Sequence, residues 1–263
     1  MLPFKQILFP VDFSQQSIGA AHYVEALTGR FDAHLTVLHV IEPPNYNDTL
    51  MDRVAQRKHR MDEFLAKELA YFKVERVVAE GDPATNILKF AAAKHADVIM
   101  MPTHGHGAFR RFLLGSVTAK VLHDADCPVW TGVHLEQAPP LDKLEFRNFL
   151  CAVNVDAHGK KVFEGAMEFA DEYRANLTVV HATGSEKADN ARRKLEELIA
   201  PFASKTSVVV EPGEVATVVA STATKLPADM LVIGRSPSPG VFGRLRTHAY
   251  PIIRQSPCPV ISV

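Results

Sequence analysis

Apolar runs and amphipathic stretches alternate along the chain, each long enough for one strand or one helix. Gln6–Val11 and Leu35–Ile41 are near-continuous apolar runs, a pattern typical of parallel strands covered on both faces. From about Leu50 to Phe72 the apolar residues follow helical spacing, and Val74–Ala79 is again strand-like. This alternation predicts an α/β fold, an open and mostly parallel sheet with helices on both faces and right-handed crossovers.

Local signals mark where several of these elements begin. Ser14 predicts the N-cap of the helix after the first strand, and Pro83 stands at a first-turn position that proline tolerates. Between the apolar strands Val98–Met101 and Pro128–Val133, a glycine-containing loop enters a helix at Gly115-Ser116. A strand, such a loop and a helix start together form a phosphate cradle, because free N–H groups and the positive end of the helix dipole converge there.

The same order of motifs occurs twice in the chain. The segment ILFPVDFS, which ends the first strand with Asp12, matches FLCAVNVD, which contains Asn154. LTVLHV then matches LTVVHA, and the separation from Asp12 to His39 equals that from Asn154 to His181. GDPA matches GEVA, ADVIMMP matches ADMLVIG, and DCPVW matches PCPVI, in the same order. The chain is therefore a tandem duplication.

The duplication predicts two domains of five strands each. The first covers residues 1–133, and the second covers 147–263, in which the second helix is shorter, from about Ser185 to Ala203. The join at 134–146 is polar and contains Pro139-Pro140, which is typical of a linker.

Composition narrows the class of protein. Hydrophobic residues make up 47% of the chain and charged residues 22%, as in soluble globular proteins. The net charge of −1 argues against broad binding to nucleic acid or to an anionic membrane. The N-terminus does not resemble a signal peptide, and the three cysteines show no CxxC spacing, so we expect a cytoplasmic protein.

The arrangement resembles a tandem universal stress protein, with its adenine nucleotide alpha hydrolase-like fold. That family carries G-x-x-G, nine residues, then G-[ST] after the fourth strand; here Pro102, Gly105, Gly115 and Ser116 stand at those positions, so three of the four match. Asp12 after the first strand and the closing CPV match as well. Closing strands of the family commonly pair across a two-fold axis, so the resemblance implies an intramolecular pseudo-dimer of the two halves.

The resemblance implies that the first domain binds ATP with Mg²⁺ or Mn²⁺. Adenine would lie near Asp12 and Val40, and the phosphates near the loop and the G-[ST] helix start. The residues expected to contact the nucleotide are Pro10, Val11, Asp12, Val40, Met101, Pro102, His104, Gly105, Gly115, Ser116 and Val117. No residue is assigned a catalytic or metal-binding role.

Each of these residues also has a plain structural interpretation. Gly105 and Gly115 can serve tight turns, Ser116 can cap the helix, and Asp12 can start a turn after the strand. His104 lies close to His106, but tetrahedral zinc needs further ligands at suitable spacing.

Two features concern charge and backbone donors near the loop. Arg110 and Arg111 can neutralise triphosphate charge or form a solvated pair. Pro102 is the departure from the family pattern, because proline lacks an N–H and has a fixed φ. Any backbone donation to a ribose at this point is therefore lost.

The second domain departs further from the family pattern. Asn154 replaces the strand-end aspartate, Pro237 replaces the central glycine, and Arg246-Thr247 replaces the Gly-Ser pair. Only Gly234 is closer to the pattern than its counterpart, Pro102. We expect this domain to be structural or to bind something other than ATP.

Three functions fit the sequence. The chain contains no GxxxxGK[ST], GxSxG or HExxH motif, which favours ATP binding with little or no hydrolysis, nucleotide occupancy acting as a signal. A ligand-free stress-response scaffold and a slow ATPase are the alternatives. The expected partners are an adenine nucleotide and an unidentified protein, with a homodimer possible and neither nucleic acid nor membrane involved.

Overall fold

The computed structural model describes residues 2–42, 50–105, 114–133, 135, 138–184, 187–235 and 248–263. The chain divides into two compact units, Pro3–Leu144 and Glu145–Val263, and Leu2 belongs with the second. The predicted α/β class is confirmed in both units, which contain parallel strands connected by helices.

The first unit follows the predicted order of strands and helices. Its elements are β1 (Gln6–Pro10), α1 (Gln15–Phe31), β2 (His34–Ile41), α2 (Leu50–Glu63), β3 (Val74–Glu80), α3 (Pro83–Ala93), β4 (Val98–Pro102), α4 (Ser116–Asp124) and β5 (Val129–Gly132). The strand order is β3-β2-β1-β4-β5, with every pair parallel. The chain therefore reverses its direction of travel across the sheet between β1 and β4. Open α/β sheets bind ligands at such a switch point, beyond the carboxyl ends of the strands.

Side-chain caps fix the starts of α1 and α3. Ser14 is the N-cap of α1, as predicted, and its Oγ accepts a hydrogen bond of 3.2 Å from the N–H of Ser17. Asp82 caps α3 by accepting from the N–H of Thr85 at 2.9 Å. Gly81, just before this cap, has φ of +125°, a backbone conformation that favours glycine.

The long helix predicted from Leu50 to Phe72 is shorter in the structure. Helix α2 ends at Glu63, and the chain continues to Phe72 as a series of turns. Leu65 has φ of +55°, which interrupts the helical hydrogen-bond ladder. The apolar periodicity nevertheless continues through the break, because Leu65 and Leu69 are both buried.

The second unit repeats the plan of the first. Its elements are β6 (Asn148–Ala152), α5 (Ala157–Tyr173), β7 (Asn176–Thr183), α6 (Ala188–Ile199), β8 (Thr206–Pro212), α7 (Val215–Lys225), β9 (Met230–Ile233), α8 (Ala249–Gln255) and β10 (Val260–Ser262). The strand order is β10-β9-β6-β7-β8, again parallel. The helix predicted to end near Ala203 ends at Ile199 and continues as a 3-10 segment from Ala200. Pro201 lies in the first turn of that segment and lacks the N–H that an α-helical bond to residue 197 would need.

Candidate functional site

A cavity of about 640 Å³ lies at the carboxyl ends of β1, β2 and β4 in the first unit. It is at the predicted switch point of the sheet, and α4 begins at its edge. All eleven residues that the sequence analysis singled out line this one cavity: Pro10, Val11, Asp12, Val40, Met101, Pro102, His104, Gly105, Gly115, Ser116 and Val117. The fold thus brings together segments that are far apart in the sequence.

Asp12 is held in place by the start of α1. Its Oδ1 accepts a hydrogen bond of 3.0 Å from the N–H of Ser14 and one of 2.8 Å from Oγ of Ser17. A Cβ atom added at Gly105 would collide with Oδ2 of the same carboxylate. A side chain at 105 would therefore displace the carboxylate of Asp12 from this position, a constraint that the sequence did not indicate.

The first turn of α4 opens onto the cavity. Gly115 is the N-cap, with its own N–H donating to the carbonyl of Thr103 at 2.8 Å. The hydroxyl of Thr118 donates to the carbonyl of Pro102 at 3.1 Å, which ties the helix start to the end of β4. The N–H groups of the first turn have no acceptor within a helix, so those of Ser116 and Val117 can bind an anion.

Ser116 does not cap this helix, which corrects one of its two predicted roles. The cap position belongs to Gly115, and Ser116 is the first helical residue, with an exposed side chain. A cap needs non-helical backbone geometry, which Gly115 has and the first helical residue lacks. Gly115 has an ordinary φ of −62°, and among the described residues an added Cβ would meet nothing closer than 3.4 Å. The fold itself therefore has room for a small side chain at 115.

Because residue 102 is proline, the cavity lacks a backbone N–H donor at this point, whereas the hydrogen bonds of the sheet are unaffected. The N–H groups of Ile99 and Thr103 donate to the carbonyls of Pro128 and Gly132, on the β5 side. Successive N–H groups of a strand point to opposite sides, so an N–H at position 102 would point towards β1. The pairs between β1 and β4 are Ile7–Val98 and Leu8–Ile99, so position 102 lies past them, where the cavity begins.

His39 lines the same cavity and makes a hydrogen bond that has a counterpart in the second unit. Its Nδ1 lies 2.8 Å from the carbonyl of Val11, and Nδ1 of His181 lies 2.9 Å from the carbonyl of Val153. A carbonyl only accepts, so each Nδ1 carries the proton. Burial, with Arg57 nearby, holds the pKa of His39 below its usual range although the Val11 bond opposes this shift. His39 is therefore neutral near pH 7.

Two arginines of α2 complete the wall, and the sequence analysis did not single them out. Arg57 and Arg60 both line the cavity; Arg57 is half-buried and Arg60 is exposed. The guanidinium carbon of Arg60 lies 4.6 Å from the ring centroid of Phe13, a cation–π contact. Their spacing of three residues, which places both side chains on one helix face, was the available signal.

Of the histidines and arginines that the sequence places in the loop, the structure describes His104 alone. The Nδ1 of His104 lies 3.1 Å from the hydroxyl of Thr103. His106, Arg110 and Arg111, and hence the two roles considered for the arginine pair, lie outside the described residues. Within the described part of the chain, no group of three or more His, Cys, Asp or Glu side chains is placed to hold a metal ion.

Comparison with known proteins identifies the family. The model of the universal stress protein family matches residues 3–131 and 182–263. The chain belongs to the universal stress protein family. A universal stress protein from Methanocaldococcus jannaschii is 31% identical over 136 residues, which are 48% of this chain and 80% of that protein. One from Thermus aquaticus is 35% identical over 132 residues, 48% of this chain and 96% of that protein.

Solved structures of the family share the fold. The crystal structure of a universal stress protein from Archaeoglobus fulgidus matches 99% of this chain and 98% of its own, with a TM-score of 0.81 and 23% sequence identity. Among the helices that the structure describes, none has the length and apolar character needed to cross a membrane.

The second universal stress protein unit has a much smaller pocket at the equivalent place. It measures about 80 Å³ and is lined mainly by apolar side chains, with Asn154 at the position that Asp12 holds in the first unit. The family model leaves residues 132–181 unmatched, a range that includes β6 and α5.

Side chains of α5 occupy the space that is open in the first unit. A Cβ added at Gly234 would lie 2.7 Å from Cγ2 of Val162 and 2.8 Å from Nε2 of His158. Aligning Asn154 with Asp12 puts Val162 at the position of Ala20, so a larger side chain stands there. Packing against α5 therefore gives Gly234 a structural reason as well as its match to the family pattern.

Proposed function

We propose that this universal stress protein binds an adenine nucleotide, ATP with Mg²⁺ or Mn²⁺, in the cavity of its first unit, with little or no hydrolysis. Nucleotide occupancy then acts as the signal that a stress-response partner protein recognises. The observation that carries the proposal is the cavity itself, which joins Asp12, Val40 and the first turn of α4 at the switch point of the sheet.

The shape and the donors of the cavity fit such a ligand. Its volume of about 640 Å³ lies in the usual range for sites that bind small molecules and cofactors. The first-turn amides of α4 and the open space beside Gly115 suit a phosphate group, which bears negative charge and needs donors. Asp12, already oriented by Ser14 and Ser17, suits the hydroxyl groups of a ribose.

Pro102 weakens the nucleoside end of the site and leaves the phosphate end unchanged. Position 102 offers no N–H to a ribose, whereas the amides of Ser116 and Val117 are unaffected. We therefore expect most of the binding energy to come from the phosphates, so that ATP binds more tightly than adenosine.

Asp12 and His39, two of the ionisable groups that line the cavity, are engaged in hydrogen bonds with the protein, which agrees with low hydrolytic activity. Phosphoryl transfer needs a group that orients the attacking nucleophile. One carboxylate oxygen of Asp12 already accepts from Ser14 and Ser17, and Nδ1 of His39 donates to the carbonyl of Val11. Both groups hold the structure around the site.

A thermal-shift experiment with Gly115→Arg tests the proposal. ATP with Mg²⁺ at 100 times its Kd should stabilise the wild-type fold by about 2.7 kcal/mol. Gly115→Arg should remove this shift, because the new side chain fills the phosphate space. Gly184→Arg is the matched control, because position 184 is exposed and no described atom lies within 4 Å of an added Cβ.

The outcomes separate the three functions. A wild-type protein that shows no shift and releases no nucleotide on denaturation is a ligand-free scaffold. Steady phosphate release that Gly115→Arg abolishes would make the protein a slow ATPase. An ATP shift that survives in Gly115→Arg would show that the nucleotide binds elsewhere.

A further inference from the structure

We infer that Arg57 of α2 binds a phosphate group of the ligand, so that the cavity takes a nucleoside polyphosphate held from two sides. One side is the first turn of α4, and the other is the guanidinium of Arg57. The inference rests on the proposed function and adds to it the residue that selects for phosphate number.

Phe13 anchors α2 beside the cavity. It follows Asp12 with φ of +62°, a strained conformation for a bulky residue, and its side chain is buried. Its ring lies 4.3 Å from that of His39 and 5.1 Å from that of Phe64, measured between centroids, with the guanidinium of Arg60 above it. The end of α2 and the turn after it are therefore fixed against the site.

Arg57 lies about one turn before this anchor and faces the same cavity. Its side chain is half-buried, and among the described residues it has neither an ion pair nor a hydrogen bond. Arg60, by contrast, is engaged by the ring of Phe13. A partly desolvated guanidinium that forms no ion pair is unfavourable, and a bound anion reduces that cost.

Among the charged groups that line the cavity, Arg57 is the one best placed to bind an anion. Glu42 also lines the cavity, and Asp12 is engaged by the start of α1. His39 contributes no positive charge near pH 7, because burial lowers its pKa. Among the described lining residues, the positive side-chain charge therefore comes from Arg57 and Arg60.

The test compares adenosine, AMP and ATP on three proteins by calorimetric titration. In Arg57→Gln we expect the affinity for ATP to fall about tenfold or more, the usual effect of losing a hydrogen bond to a charged group. The affinity for adenosine should change by less than about threefold, since no phosphate is present. Lys58→Gln removes the same charge from an exposed neighbour that does not line the cavity, and should leave all three affinities nearly unchanged.

Each outcome decides the inference. Equal losses for adenosine and ATP, or no loss for either, would overturn it while the proposed function stands. If Arg57→Gln does not fold, Arg57→Lys keeps the charge, and a smaller loss for ATP than for adenosine in that variant would also overturn it.

A wild-type protein that binds no nucleotide would defeat the proposed function instead. Inorganic triphosphate then serves as the probe in a thermal-shift measurement. Stabilisation that is present in the wild type and lost in Arg57→Gln would still support an anion site at Arg57, and any other result would overturn it.

Discussion

Gly105 and Gly115 are both glycines of the cavity wall, yet the structure constrains the two positions differently. A side chain at 105 would collide with the carboxylate of Asp12, whereas 115 has ordinary backbone geometry and room for a Cβ. The sequence indicated both as glycines of a phosphate loop. It could not separate them, because the contact between Gly105 and Asp12 depends on how β1 and β4 lie side by side.

Glu25 is a carboxyl group that the sequence did not bring to notice. It lies on α1 with 7% of its surface exposed, and its Oε1 is buried without a hydrogen-bond partner among the described residues. Burial, with a further contribution from Glu68, raises the pKa of Glu25 to about 7. The raised pKa means that ionising Glu25 destabilises the folded state.

Glu25→Gln should therefore stabilise the protein in a pH-dependent way. Below the unfolded pKa of 4.5 the wild-type carboxyl is neutral in both states, and the variant should differ little. Between that pH and about 7 the unfolded state ionises first, so wild-type stability falls as pH rises. At pH 8 we expect the variant to be more stable by about 1–3 kcal/mol in urea unfolding.

Glu68→Gln is the control for this effect. Glu68 is exposed and contributes less to the raised pKa, so its loss should change the pH dependence much less. A Glu25→Gln variant with the same stability difference at pH 5 and pH 8 would contradict the assignment.

At the scale of elements, apolar periodicity predicted the strands of the first domain for which it gave bounds to within about two residues, and the clearest departure is helix α2. Helix α2 ends at Glu63 because the chain turns at Leu65, whose positive φ has no signature in its residue type. The burial pattern on both sides of that break stays helical, which is why periodicity extended the helix to Phe72.

The sequence also did not predict that side chains of α2 line the cavity. Arg57 and Arg60 lie on α2, between Val40 of β2 and the site residues that begin at Met101, and are well separated from both in the sequence. Their approach to the cavity depends on the contact of Phe13 with Phe64 and Arg60, which local patterns do not specify.

The turn before α3 gives a prediction about an element boundary. Gly81 has φ of +125°, and its counterpart Gly213 before α7 has φ of +146°, so both units use the same turn. Gly81→Ala should destabilise the protein by about 1–2 kcal/mol, because an L side chain is strained there. Gly184→Ala, in open space, should have little effect in the same urea titration. Equal stability of the two variants would rule out strain at Gly81.

For the whole molecule, the duplication has preserved the architecture and let the two sites diverge. Both units keep the same strand order. In each unit the histidine of the second strand, His39 or His181, is hydrogen-bonded to the carbonyl of the residue that follows the first strand. Since this bond is present in the small pocket as well as the large cavity, we interpret it as structural. The predicted pseudo-dimer of the two halves, the homodimer and the cytoplasmic location remain predictions.

Closure of the second pocket explains why two similar units should bind unequally. Val162 and His158 stand against Gly234, and the pocket measures about 80 Å³ against about 640 Å³ in the first unit. Substitutions at Asn154 and Pro237 were visible in the sequence and predicted a poorer site. The filling by α5 was not visible, because it depends on which helix face packs over β9.

The number of nucleotides bound per chain tests this account most directly. Calorimetric titration of the full chain with ATP and Mg²⁺ should give one site per chain, and Gly115→Arg should abolish it. Two equivalent sites per chain, or one site that persists in Gly115→Arg, would contradict the assignment of nucleotide binding to the cavity of the first unit.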